Sequence, residues 1–294
     1  MSAVTYATAQ ILRVLPRARI GRAIGRLAER PWSPPIGRAV VGLYSRVYDV
    51  RLDECMEQEG WPNFDAFFTR RLRAGARPVD PDPRAITSPA DGRIESLGTI
   101  DGRGTFLVKG RPYAVEELVG DSREAGRFVG GVGCVVYLSP RDYHRVHSPV
   151  SGHVRRIRSM PGDYYPVNAV GMRHVANLFC RNRRVAIEIE TSAGFGRVTI
   201  VMVVAMIVGR ITTIAFDLAD TPIGDHVFDP PLRVGAGEEL GVFHLGSTAV
   251  VLAERSAAGA WLVSPGPVRC GQALLRAPAV ETTPTFEASG GASG

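Results

Sequence analysis

Lysine is nearly missing from this chain. Lys109 is the only one in 294 residues, so a net charge of +6 rests almost wholly on arginine. Chemistry that needs a lysine Schiff base, pyridoxal phosphate enzymes included, therefore has one residue to use. Cysteine is sparse: Cys55, Cys134, Cys180 and Cys270 are scattered with no CxxC pair. That argues against a disulfide framework or a zinc ribbon, and for reduced thiols in a cytoplasmic setting. Long hydrophobic runs are also lacking. The longest, Val198 to Val208, lies between Arg197 and Arg210 and is too short to span a bilayer. The N-terminus has no uninterrupted apolar segment of the kind that marks a secretory signal.

What is present describes a globular protein, 45% apolar and 22% charged. The basic surplus suits an anionic partner, either nucleic acid or anionic lipid. It is concentrated at the start: residues 1–50 carry Arg13, Arg17, Arg19, Arg22, Arg26, Arg30, Arg38 and Arg46 against Glu29 and Asp49. Ile11, Leu12, Leu15, Ile20, Ile24 and Leu27 alternate with these arginines. With Pro16 as an interruption, the spacing predicts a short turn and then a helix over 17–30. An apolar stripe backed by arginines fits a helix lying in a membrane interface, or one packed on the domain with a solvated basic face. Pro31 to Pro35 breaks the segment. A second helix is expected over 36–48, and a third, short one carries Phe64, Phe67 and Phe68.

From residue 85 the texture changes to short β-type runs between Gly and Pro: 94–100, 105–108, 133–138, 153–159, 185–190, 198–208, 211–216, 240–245 and 249–252. The expected fold class is α+β. An N-terminal helical, membrane-docking region (1–84) precedes a β-rich catalytic core (85–276). The tail (277–294), rich in Ala, Thr, Pro, Ser and Gly, is expected to be disordered.

Three stretches carry groups suited to chemistry. Ser88-Pro89-Ala90-Asp91-Gly92 offers a carboxylate in a turn. Tyr137 to Pro149 contains His144 and His147, which share a face if the segment is helical; imidazole is suited to proton transfer near neutral pH. With His153 the pair could instead bind a metal, but no carboxylate or cysteine at ligand spacing completes a set, so no metal is expected. The third stretch, Gly241-Val242-Phe243-His244-Leu245-Gly246-Ser247-Thr248-Ala249-Val250, reads as strand, tight junction, strand. There Ser247 sets a hydroxyl beside the Gly246 carbonyl, a candidate for backbone self-cleavage. Asp91, a histidine and Ser247 make the inventory for activating a hydroxyl. The surroundings of Ser247 are not the Gly-x-Ser-x-Gly elbow of α/β-hydrolases.

Leu245-Gly246-Ser247-Thr248, the Tyr137–His147 block and Pro89-Ala90-Asp91-Gly92 resemble the three motifs of phosphatidylserine decarboxylases. Pro161-Gly162-Asp163, Val167-Asn168, Asn177-Leu178-Phe179, Val208-Gly209 and the Asn63–Arg73 stretch add to the likeness. The resemblance implies a proenzyme that cuts itself between Gly246 and Ser247. Asp91 would polarise His147, His147 would deprotonate Ser247, and the hydroxyl would attack the Gly246 carbonyl. Ser247 would end as a covalent pyruvoyl group (pyruvate is the cofactor) at the head of an α chain, paired with a β chain of residues 1–246. The pyruvoyl ketone would form a Schiff base with phosphatidylserine and serve as electron sink, releasing phosphatidylethanolamine and carbon dioxide. His144 is the candidate for a substrate contact or proton donor. The implied partners are phosphatidylserine, an anionic membrane surface on the cytoplasmic side and the sister chain, with further dimerisation open; nucleic acid is not among them. Two positions depart from the family pattern: Ala236 stands where Lys is usual, and Arg183 where Glu is usual. The competing readings are an uncleaved serine hydrolase using Asp91, His147 and Ser247, and a non-catalytic peripheral membrane-binding protein.

Overall fold

The computed structural model describes residues 17–57, 60–167, 169–205 and 210–279. The residues expected to form a turn before the first helix, the Asn168 and Val208-Gly209 matches and most of the expected disordered tail lie outside them. Helix α1 (Arg17–Ala28) falls within the predicted span. Helix α2 (Pro34–Tyr48) begins at a proline. A proline at the first helical position loses nothing, because that N–H has no intrahelical partner; Pro34 and Pro35 therefore start the helix rather than precede it. Helix α3 (Phe64–Phe68) is capped by the Asn63 side chain, which accepts from the Ala66 N–H. Val41, Val50, Cys55, Trp61 and Phe67 form a small separate core under these helices.

The rest is mostly sheet. In chain order the strands are β1 (Ala85–Thr87), β2 (Gly92–Thr99), β3 (Thr105–Val108) and β4 (Arg111–Ala114). Two short helices follow, α4 (Val115–Val119) and α5 (Ser122–Arg127). Next come β5 (Val132–Leu138), β6 (Arg145–His147) and β7 (Gly152–Met160), then helices α6 (Ala169–His174) and α7 (Leu178–Arg181). Strands β8 (Arg184–Thr191), β9 (Arg197–Val204), β10 (Arg210–Thr213), β11 (Gly224–Val234), β12 (Glu239–His244), β13 (Ser247–Ala253), β14 (Gly266–Val268) and β15 (Ala273–Arg276) complete the core. An eight-stranded antiparallel sheet has the order β11-β7-β8-β9-β13-β5-β2-β14, and β10-β12-β6 form a second sheet. The chain passes from the small sheet to the large one between β12 and β13, at Leu245 and Gly246.

Strands β8, β9 and β13 are buried almost throughout, which is why they read as continuous β-branched runs rather than alternating ones. The predicted run 198–208 matches β9 as far as Val204. The 211–216 run is shorter than expected: β10 stops at Thr213. The segment holding both histidines is a three-residue strand preceded by loop, not a helix. In extended chain, residues three apart face opposite ways, so His144 and His147 do not share a face.

Candidate active site

Ser247 opens β13, in the middle of the large sheet. Its Cα partners are Leu138 on β5 and Val204 on β9. The two residues before it are left-handed, Leu245 at φ 80° and Gly246 at φ 44°. Gly246 accepts this at little cost because it lacks a Cβ. Leu245 does not, and a non-glycine residue held there costs on the order of 1–3 kcal/mol. Strain is therefore held at Leu245, two residues before Ser247. The Ser247 Oγ is buried and has no hydrogen-bond partner among the described residues, although such groups are nearly always paired.

His144 is fully buried against Phe68, with ring centroids 4.0 Å apart. Its Nδ1 lies 2.8 Å from the Asp142 carbonyl. A carbonyl only accepts, so Nδ1 carries the proton and Nε2 is left as a bare acceptor, buried and unpartnered. Burial pushes its pKa down to about 3, helped by the Arg70 charge and opposed by the Asp142 carbonyl. The neighbouring Phe243 N–H donates to the His144 carbonyl, which ties His144 to the end of β12, just before the Leu245-Gly246 step.

His147 is arranged in the same sense but is fully engaged. Nδ1 donates to the Gly237 carbonyl at 2.8 Å, and Nε2 accepts from the Tyr143 hydroxyl at 3.0 Å. Burial lowers its pKa, against the favourable Gly237 carbonyl and the charges of Glu239 and Asp91. Burial raises that of Tyr143, so the phenol stays a donor.

Asp91 lies beside His147 without bonding to it. The Pro89 carbonyl accepts from the His147 N–H at 2.7 Å. The Asp91 carboxylate is held instead by Arg77, whose Nε lies 2.7 and 2.9 Å from its two oxygens, and by the Cys270 N–H at 2.9 Å. Gly92 presses this loop onto β5: a Cβ there would lie 2.2 Å from the Tyr137 carbonyl. Of the residues expected to act together, the structure brings Asp91 and His147 into one neighbourhood. Ser247 Oγ and His144 Nε2 are both buried without a partner among the described residues, Ser247 at the start of β13 and His144 tied to β12 through Phe243. Lys109 is paired with Glu95 in the β3–β4 hairpin.

Sequence reasoning missed several residues. Arg77 had no local signal. Asp65 on α3 holds His244 Nδ1 at 2.9 Å, and Arg210 joins Asp65 to Glu29 near the end of α1. This network anchors the helices to the residue two before Gly246. Arg183 departs from the family pattern but has its own partners, Asp220 at 2.8 Å and the Thr221 carbonyl. Ala236 donates its N–H to Ser151.

Two cavities flank this region. A polar one of about 440 Å³ is lined by Arg70, Arg77, Asp91, Arg141, Tyr143 and Arg269 among others. An apolar one of about 460 Å³ is lined by Ile24, Leu27, Trp32, Val40, Phe64 and Leu245 among others. Arg70 Nε and Nη1 are buried without partners.

A sequence profile of the family described as phosphatidylserine decarboxylase matches residues 64–276, well over half the chain. The chain is similar to the phosphatidylserine decarboxylase proenzyme of Azotobacter vinelandii, 40% identical over 278 residues that cover 90% of this chain and 96% of the relative. The proenzymes of that name from Myxococcus xanthus and Marinobacter nauticus are 36% and 37% identical, over 83% of this chain and 88% and 87% of their own lengths.

Proposed function

This chain belongs to the phosphatidylserine decarboxylase family, and from that premise we propose how it matures and acts. It is a carboxy-lyase, made as a proenzyme, that converts phosphatidylserine to phosphatidylethanolamine and carbon dioxide in phospholipid biosynthesis. The observation that carries the maturation step is the unpartnered Ser247 Oγ behind a left-handed pair, Leu245-Gly246, in which Leu245 is strained. Among the described residues nothing bonds to that hydroxyl.

In the cut, His147 Nε2 exchanges the Tyr143 hydroxyl for the Ser247 hydroxyl and takes its proton. Oγ attacks the Gly246 carbonyl carbon. The C–N bond breaks, the nitrogen takes up the proton, and an ester remains. Loss of the Ser247 Cα proton and cleavage of the Cβ–Oγ bond free the Gly246 carboxylate and leave dehydroalanine. Water converts this to a keto group, and ammonia departs. Asp91 favours the transient imidazolium of His147 through its charge. A second assignment has its own support: the bare, buried Nε2 of His144 makes it an alternative base for Ser247, or the proton donor of the later reaction.

The residues present suit a pyruvoyl group made from Ser247, because the position is dry and its side chain makes no bond that would be lost. That group supplies a ketone to take the substrate amine and the electron pair released with the carboxylate. The polar cavity beside Asp91 and Tyr143, with its arginines, suits the anionic headgroup. The apolar cavity reaching Leu245 suits an acyl chain.

No helix among the described residues is long and apolar enough to cross a membrane. Peripheral attachment to the cytoplasmic face of the cell membrane is supported by α2, where Ile36, Val40, Leu43 and Val47 form an exposed apolar stripe at helical spacing. Arginines on the helices add attraction to anionic lipid, roughly 1 kcal/mol each near the surface. After the cut, the α and β chains stay together because β13 is hydrogen-bonded on both sides, to β5 and β9.

The test is turnover. Phosphatidylserine labelled at the serine carboxylate should release labelled carbon dioxide with wild-type protein and none with Ser247→Ala. Equal release from both would end the proposal.

A further inference from the structure

Away from the scissile bond, a cavity of about 460 Å³ opens between α5 and the β7–β8–β9 part of the large sheet. Glu188 pairs with Thr199 on β9, whereas Ser247 pairs with Val204. Five residues of strand, roughly 17 Å at about 3.3 Å each, separate the two levels. The most buried groups lining the cavity are two carboxylates, Glu188 at 2% exposed and Glu124 at 5%. Both give one oxygen to the same guanidinium nitrogen, Arg197 Nη1, at 3.4 and 2.6 Å. The other oxygen of each is buried and has no hydrogen-bond partner among the described residues. Leaving a buried acceptor of this kind unpaired costs about 1–3 kcal/mol, more when it is charged. Arg123, Arg127 and Arg155 line the rim and are exposed, together with the exposed Asp229. Arg127 is paired with Glu124 and Glu254 and Arg155 with Glu190, whereas Arg123 makes no ion pair with a described residue.

Burial and then the Glu124 charge raise the Glu188 pKa to about 7; above that, a ligand that satisfies both free oxygens brings at least two N–H or O–H donors. No group of three or more His, Cys, Asp or Glu among the described residues is arranged for a metal ion. A primary ammonium, with three N–H donors, meets the need. The arginine rim then calls for an oxyanion on the same molecule, and arginine matches phosphate oxygens in bidentate fashion. We infer that this cavity binds a phosphate ester of a short primary amine, ammonium inward on Glu124 and Glu188, phosphate outward on Arg123 and its neighbours. Such a molecule is either a free phosphomonoester or the headgroup of an amine-bearing phospholipid.

Calorimetric titration of the uncleaved Ser247→Ala protein tests this with four soluble probes. Phosphoethanolamine should bind at one saturable site, at least about ten-fold more tightly than ethylamine or inorganic phosphate, the equivalent of one charge-assisted contact. Phosphocholine, which has no N–H, should bind no better than phosphate. Glu188→Gln should lose about ten-fold in affinity, and the surface change Arg123→Ala several-fold, each with unchanged melting temperature and unchanged self-cleavage in the Ser247 background. Arg123→Ala keeps the test decisive if Glu188→Gln fails to fold. Glycerophosphoethanolamine binding as well as the monoester would identify a lipid headgroup as the source; binding of the monoester alone would identify a free metabolite. No saturable binding, equal affinity for phosphate alone, or full affinity in both variants would overturn the inference. None of these results depends on whether the chain decarboxylates anything.

Discussion

The helical cap and the eight-stranded sheet treat their apolar side chains in opposite ways. In the sheet, β8, β9 and β13 bury Ile187, Ile200, Val201 and Val250 completely. In the cap, Leu27, Leu43 and Val47 remain more than 60% exposed, and the small core beneath them rests on five buried residues. The sheet satisfies itself, whereas the cap carries a surface that water does not reward. The bond proposed to be cut, Gly246–Ser247, lies where the two meet. Leu245 faces the apolar cavity under α1 and α2, and His244 is held by Asp65 of α3, while Ser247 already belongs to the sheet. The comparison teaches that the cap leaves apolar surface uncovered where the sheet does not, and that the Leu245-Gly246 junction is held by one region and opens toward a cavity of the other.

Breaking the sheet should have the largest effect on stability. Ile200→Ala should cost about 2–5 kcal/mol, read as a lower denaturation midpoint; Leu43→Ala should change it by less than about 0.5 kcal/mol. Breaking the cap should instead affect attachment. Leu43→Asp with Val47→Asp should weaken binding to anionic vesicles by more than about ten-fold, since each buried side chain of this size contributes roughly 1.5–3 kcal/mol, and leave the melting temperature unchanged. A smaller effect is expected on acidification. His144 is held neutral with a pKa of about 3 against an ordinary 6.5, and His147 is lowered in the same direction. The unfolded chain therefore binds more protons over this range, so the contribution is complete above pH 6.5 and lost as pH falls toward 3. Stability of the Ser247→Ala protein measured across that window should fall more steeply than that of the same protein carrying His144→Gln. The smallest effect is expected at the junction. Asp65→Asn should slow self-cleavage about two- to ten-fold by loosening His244, measured as the rate at which the full-length band disappears.

Much of the sheet was legible because its strands are β-branched runs long enough to stand out: β5, β7, β8, β9, β12 and β13 lie close to where residue pattern puts them. Strand β11 was not, because Pro230 and Pro231 interrupt it and its exposed edge position lets polar residues alternate along it. The candidate residues were legible as types, since Asp91, His144, His147 and Ser247 stand in short distinctive blocks. Their arrangement was not. The grip of Arg77 on Asp91, the Gly237 carbonyl that sets the His147 tautomer, and the Asp65–His244 pair, 179 residues apart, are tertiary contacts that leave no local trace. Spacing misled in one place: two histidines three apart suggest one helical face, but β-strand geometry separates them.

The most direct test of the central claim is the intact mass of the small chain from freshly made wild-type protein. The account predicts a fragment that starts at position 247 and is one ammonia lighter than the peptide headed by serine, its mass shifted further by a hydrazine that traps the ketone. A single uncut polypeptide, or a fragment with an ordinary amino-terminal serine, would contradict it.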